Sequence, residues 1–192
     1  MGQTQNWTVL LVGGASGVGK SSITNALGKY YGVNVIKIDD IVMAMEAVTT
    51  VETLPMLHYF STGVNWMKIG TSGNIDWLVS ASRAIEPALK AIVADHLLER
   101  EPIILEGDFL QPAFAASFAQ PKVRTLFVHE ADEDVIVQNY LAREGGEEQR
   151  FRAQVSTAYG LRLAETCKKY GVPLLEARPW NTAAERAASL LV

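Results

Sequence analysis

The stretch Gly13-Gly14-Ala15-Ser16-Gly17-Val18-Gly19-Lys20-Ser21-Ser22 constrains this chain more than any other. Gly14 to Ser21 match G-x-x-x-x-G-K-[ST], a loop built to cradle phosphate. Before it, Thr8-Val9-Leu10-Leu11-Val12 reads as a short buried strand. After it, Ser22 to Leu27 reads as the first turns of a helix that stops near Gly28. That order is what the chemistry requires. Small residues let successive backbone N–H groups turn inward around phosphate oxygens, and a helix N-terminus adds about half a positive charge at the same place. Gly14, Ala15, Ser16, Gly17, Val18, Gly19, Lys20, Ser21 and Ser22 are therefore expected to bind the phosphates of ATP. Lys20 would reach the β- and γ-phosphates, and the Ser21 hydroxyl would sit on Mg²⁺.

Composition narrows the setting. A chain of 192 residues fits one domain over 1–192 with a sizeable core. Hydrophobic residues make up 48% and charged residues 20%, as in a soluble globular protein. The net charge of −4 argues against a general nucleic-acid or membrane-surface binder. Cys167, the single cysteine, allows no intrachain disulfide, which suits a cytoplasmic setting, and reads as a buried apolar residue. No apolar run reaches the ~18 residues needed to cross a bilayer.

Strands and helices alternate along the chain. Val33–Ile38 is a second strand ended by Asp39-Asp40, followed by a helix over Ile41–Ala47. Residues 48–80 form an aromatic-rich insert, expected to make an acceptor pocket roofed by Tyr59, Trp66 and Trp77 or equally a contact between two copies of the chain. A strong helix is expected over Ser82–Arg100, with Ile85, Leu89, Ile92, Val93 and His96 on one face. Pro102–Glu106, Val123–Val128 and Val172–Glu176 complete five strands, with helices over Asp132–Arg143 and Arg150–Tyr170 between them. Thr182-x-x-Glu185 has the spacing of a capping box opening a last helix. Five such alternations predict a three-layer α/β fold: a five-stranded parallel sheet, helices on both faces and a small helical lid. Ligands on such sheets bind beyond the carboxyl ends of the strands.

Acidic residues fall at those ends. At least one of Asp39 and Asp40, preferably Asp39, is positioned to orient an acceptor hydroxyl and take its proton; the other serves as a helix cap. Glu106, closing Ile103-Ile104-Leu105, is a candidate for the Mg²⁺ site beside Ser21, with Asp108 the alternative carboxylate. Gly107 between them would let the chain pass close to the phosphates. Arg143, Arg150 and Arg152 flank Glu144-Gly145-Gly146-Glu147-Glu148, so residues 143–152 read as a lid, with Arg143 and Arg150 the preferred phosphate ligands. Alternating charges on exposed helix faces produce the same string. Arg178 and Trp180 present planar surfaces suited to an adenine ring, although Trp180 serves equally well as a residue packed on the core.

Together these residues resemble the small P-loop kinases related to nucleoside monophosphate kinases, including shikimate, gluconate and chloramphenicol kinases. The loop Gly14–Ser21, Asp39, Glu106-Gly107 and the arginines of 143–152 carry the likeness. Leu105-Glu106-Gly107-Asp108-Phe109-Leu110-Gln111-Pro112 and Glu86-Pro87-Ala88-Leu89 further resemble the 2-phosphoglycerate kinase-like group. The resemblance implies ATP·Mg²⁺-dependent transfer of the γ-phosphoryl group to a hydroxyl of a small polar or acidic metabolite. Adenylate kinases carry Asp-Gly-Phe-Pro-Arg after the third strand; here Glu-Gly-Asp-Phe-Leu lacks the arginine, against a nucleotide acceptor. The marks of GTPases are absent as well. The alternative is an ATP-binding regulator or sensor that transfers nothing, which would not need Asp39 beside the γ-phosphate.

Overall fold

The computed structural model describes residues 5–118 and 120–191. Its elements are β1 (Val9–Gly13), α1 (Lys20–Tyr31), β2 (Asn34–Lys37), α2 (Ile38–Val48), α3 (Gly70–Glu99), β3 (Ile103–Gly107), α4 (Pro112–Ala116), β4 (Val123–His129), α5 (Glu133–Glu144), α6 (Arg150–Tyr170), β5 (Leu174–Glu176) and α7 (Ala183–Ser189). The five strands form one parallel sheet in the order β2-β3-β1-β4-β5. Every residue of β1 and β3 is buried. Successive strand residues face opposite sides, so both faces of the sheet are covered, as a parallel sheet requires. Helix α1 packs with α7, while α3, α4 and α5 pack around α6. Cys167 lies in that core, where burial pushes its thiol up to about 12 and leaves it inert.

Several boundaries differ from the sequence expectation, each for a local reason. Helix α1 runs through Gly28 and ends at Gly32, which takes a left-handed conformation. Gly28 is buried, and a Cβ there would lie 2.9 Å from both the Val33 carbonyl oxygen and Val35 Cγ2; the glycine serves close packing and ends nothing. Helix α2 starts at Ile38, so Asp39 and Asp40 both lie in its first turn and neither caps it. Helix α3 starts at Gly70, twelve positions before Ser82, and absorbs the last third of the insert. Asn74 fastens that early turn, donating to the carbonyls of Trp66 at 2.6 Å and Gly70 at 2.8 Å. Ile85, Leu89 and Val93 are buried along one face, as expected, with Ile92 and His96 half-buried. The capping box at Thr182 does not form, because its hydroxyl bonds the Pro179 carbonyl at 3.3 Å. Asp132 is a true cap, accepting from the backbone N–H groups of Asp134 and Val135.

Candidate active site

The carboxyl ends of β1, β2 and β3 open on a cleft of about 1070 Å³. It is lined by the loop between β1 and α1, the start of α2, the residues after β3, and the facing sides of α5, α6 and α7. Lys20, in the first turn of α1, is buried. Its Nζ donates to the Ala15 carbonyl at 2.7 Å and to the Asp108 carboxylate. One turn of α1 thus aims the ammonium back across its own loop. Ser21 Oγ donates to Glu106 Oε1 at 2.8 Å, which brings β3 to the same point. Glu106 is only 3% exposed, and its Oε2 has no hydrogen-bond partner. A buried carboxylate oxygen left without a donor is costly unless a cation or water satisfies it. Ser21 and Glu106 therefore fit a divalent cation by their donor chemistry.

Asp39 faces the same cleft. Water reaches it through the open mouth, yet the cleft walls crowd it. That burial, reinforced by the negative charge of Asp108 and opposed by Lys20, lifts its carboxyl to about 6. Asp40 does not line the cleft. Gly107 serves close packing within the fold. A Cβ there would lie 2.8 Å from Ile38 Cβ, so the glycine lets α2 close onto β3 and sets the distance between Asp39 and Glu106.

The arginines separate. Arg143 and Arg152 line the cleft. Arg150 is not among the lining residues and turns to Asp134 and Glu148, each at 2.9 Å. Arg178 is held by buried Glu130 at 2.8 Å and by Asp132 at 3.5 Å. It borders a smaller hollow beside Pro179 and not the main cleft. Trp180 lines both, its ring lying against Gly19 so closely that a Cβ there would overlap it. No residue of 48–80 lines the cleft. The insert's aromatics pack together: Trp77 Nε1 donates to the Met56 carbonyl at 2.8 Å, its ring meets Phe60 and Phe109, and Trp66 meets Phe151.

Sequence reasoning overlooked Glu130, Asn139 and Tyr140. Glu130 follows a strand just as Asp39 and Glu106 do, so the same rule would have found it. Asn139 donates to the Gly17 carbonyl at 2.7 Å. It and Tyr140 stand one helical turn before Arg143, on the side of α5 facing the loop.

This architecture and its glycine loop define the α/β fold of the P-loop NTPases. No family model matches the chain. In sequence it is 27% identical to the 2-phosphoglycerate kinase of Pyrococcus horikoshii over 183 residues, covering 88% of this chain and 58% of that protein. It is 31% identical to the 2-phosphoglycerate kinase of Methanococcus vannielii over 147 residues, covering 70% and 47%. The chain thus spans about three-fifths or less of the length of these curated relatives. In fold it is similar to a gluconokinase from Sinorhizobium meliloti, with TM-score 0.58, 19% identity and coverage of 98% and 93%. It is also similar to a shikimate kinase from Acinetobacter baumannii, with TM-score 0.56, 11% identity and coverage of 97% and 92%. These likenesses agree with the resemblance to P-loop small-molecule kinases read from the motifs.

Proposed function

We propose that this chain is an ATP-dependent kinase that transfers the γ-phosphoryl group to a hydroxyl of a small polar or acidic metabolite, with 2-phosphoglycerate the first acceptor to try. The observation that carries this reading is the meeting of three groups in one cleft: Lys20 within its loop, the Ser21–Glu106 pair, and Asp39 at the start of α2. A protein that only sensed ATP would need the first two and not the third.

The loop amides and Lys20 hold the triphosphate. Lys20 must leave Asp108 to do so, exchanging one anion for another. Ser21 and Glu106 hold Mg²⁺, which supplies charge neutralisation on the phosphates when bound. Asp39 accepts a hydrogen bond from the acceptor hydroxyl, orients it and takes its proton as the new O–P bond forms and the bond from the γ-phosphorus to the β–γ bridging oxygen breaks, with ADP the leaving group. Its raised affinity for protons makes it a better base than an ordinary carboxylate. A cleft arginine stabilises charge on the moving group. The acceptor would enter beside Asp39, where the insert 48–80 supplies no lining residue, and Trp180 beside Gly19 would meet the adenine. The likeness to 2-phosphoglycerate kinases is the ground for choosing 2-phosphoglycerate.

A cytoplasmic setting and pairing of two copies complete the proposal. Among the described residues no helix is long and apolar enough to cross a membrane. Met43, Val48, Trp66 and Met67 expose apolar surface that a second copy would cover. The test is phosphorylation of 2-phosphoglycerate and of a panel of other hydroxy acids and sugars with ATP·Mg²⁺. Nucleotide binding without transfer to any acceptor would favour the sensor.

A further inference from the structure

Arg143 and Arg152 reach the cleft from different helices, α5 and α6, and one carboxylate joins them. Glu144 Oε1 accepts from Arg143 Nε at 3.1 Å and Nη2 at 2.5 Å. Arg152 Nη1 donates to both Glu144 oxygens at 3.0 Å and to Gln149 Oε1 at 2.9 Å. Gln149 Nε2 closes the cluster on Glu144 Oε2 at 2.7 Å. Both guanidiniums also lie over the ring of Tyr140, at 5.3 Å for Arg143 and 4.3 Å for Arg152. That ring is fully buried, and its hydroxyl is tied to Ser156 at 2.8 Å. It packs beneath the phosphate loop: a Cβ on Gly17 would lie 3.0 Å from Tyr140 Cζ. One buried ring therefore touches both the loop and the two arginines. Exposed ion pairs add little to stability, so the worth of this cluster lies in geometry.

The two arginines are not left equivalent. Arg143 spends its Nε–Nη2 edge on Glu144. Arg152 spends only Nη1, and among the described residues its Nε and Nη2 have no acceptor. The Nε–Nη2 edge is a fork that matches two phosphate oxygens. Glu144 itself does not line the cleft, so it stands behind the guanidiniums it holds.

We propose that Glu144 and Tyr140 are positioning residues that hold Arg152 with its free Nε–Nη2 edge toward the nucleotide phosphates, and that Arg152 is the principal phosphate ligand of the lid. This rests on the reading of the loop as a phosphate site. Inorganic tripolyphosphate, titrated calorimetrically, is the probe. Arg152→Lys removes the fork and keeps the charge, and is expected to weaken binding about tenfold; Arg143→Lys should change it less than about threefold. Glu144→Gln separates positioning from charge. Coulomb's law alone says that losing a carboxylate near a polyanion tightens binding. Loss of positioning predicts the opposite sign, a weakening of about threefold to tenfold. Glu148→Gln makes the same charge change on Arg150 and should not weaken binding. Tighter binding by Glu144→Gln, or a larger effect at Arg143 than at Arg152, would overturn the assignment. Tripolyphosphate that fails to bind the unaltered protein would overturn the loop reading with it. Binding as expected without transfer from ATP would remove only the kinase reading.

Discussion

Two polar groups at the centre of the cleft, Lys20 and Ser21, have partners that a ligand must replace or join. Lys20 is held by Asp108 and the Ala15 carbonyl, so its charge is stored where the phosphates belong. Lys20→Ala should leave the fold intact, weaken ATP binding and raise the barrier to transfer by ~3–4 kcal/mol, the scale of a lost transition-state donor; turnover and a thermal melt separate the two effects. Asp39 carries a pH signature. A carboxyl lifted to about 6 is largely protonated below that pH and cannot accept a proton. kcat/KM, which reports the free enzyme, should therefore fall about tenfold per unit below pH 6. ATP·Mg²⁺ carries a net negative charge, which disfavours the carboxylate, so in the nucleotide-saturated enzyme the fall in kcat should come at the same or a higher pH. A pH profile of both constants checks this, and Asp39→Asn should abolish the acid limb. Stability has the opposite sign: the contribution of this group is fully present below the unfolded carboxylate value and fades as pH rises through about 6.

Among the elements, the first turn of α2 and the break between α5 and α6 matter most. Gly107→Ala would push Ile38 from β3 and carry Asp39 with it. An overpacked contact of this kind costs about 1–3 kcal/mol, and a thermal melt beside a turnover assay should show both losses together. Gly145 and Gly146 have positive φ and open space around them, so the link between the arginine-bearing helices can hinge. Residues 144–152 should gain protection from hydrogen exchange when a non-hydrolysable ATP analogue binds; unchanged protection there, beside protection of 14–22, would reduce the segment to an ordinary helix break. Continuous apolar runs made β1 and β3 legible in the sequence, and helical spacing of apolar residues did the same for the body of α3. The start of α3 was not legible. Gly70, Gly73 and Asn74 have poor helix propensity, and the turn is held by side-chain bonds to Trp66 and Gly70 that no local pattern displays. Arg150 and Arg152 look alike in sequence, and only the packing of α6 against Tyr140 turns one toward the cleft and the other away.

For the whole molecule, the parallel sheet gathers residues far apart in the chain at one edge. Ser21 and Glu106 are 85 positions apart, and Asn139 reaches Gly17 across 122. The strand-then-acid pattern anticipated the first meeting, since acids after parallel strands share an edge. Nothing in the sequence anticipated the second. The central claim is that this edge both binds ATP and transfers its terminal phosphoryl group. The measurement that tests it most directly is transfer of label from γ-labelled ATP to acceptor by the unaltered protein and by Asp39→Asn, with ATP affinity measured on both. A labelled acceptor is expected with the unaltered protein, and turnover lower by roughly 10²–10⁴-fold in Asp39→Asn at unchanged ATP affinity. Equal turnover in the two proteins, or ATP bound tightly with no acceptor labelled by either, would contradict it.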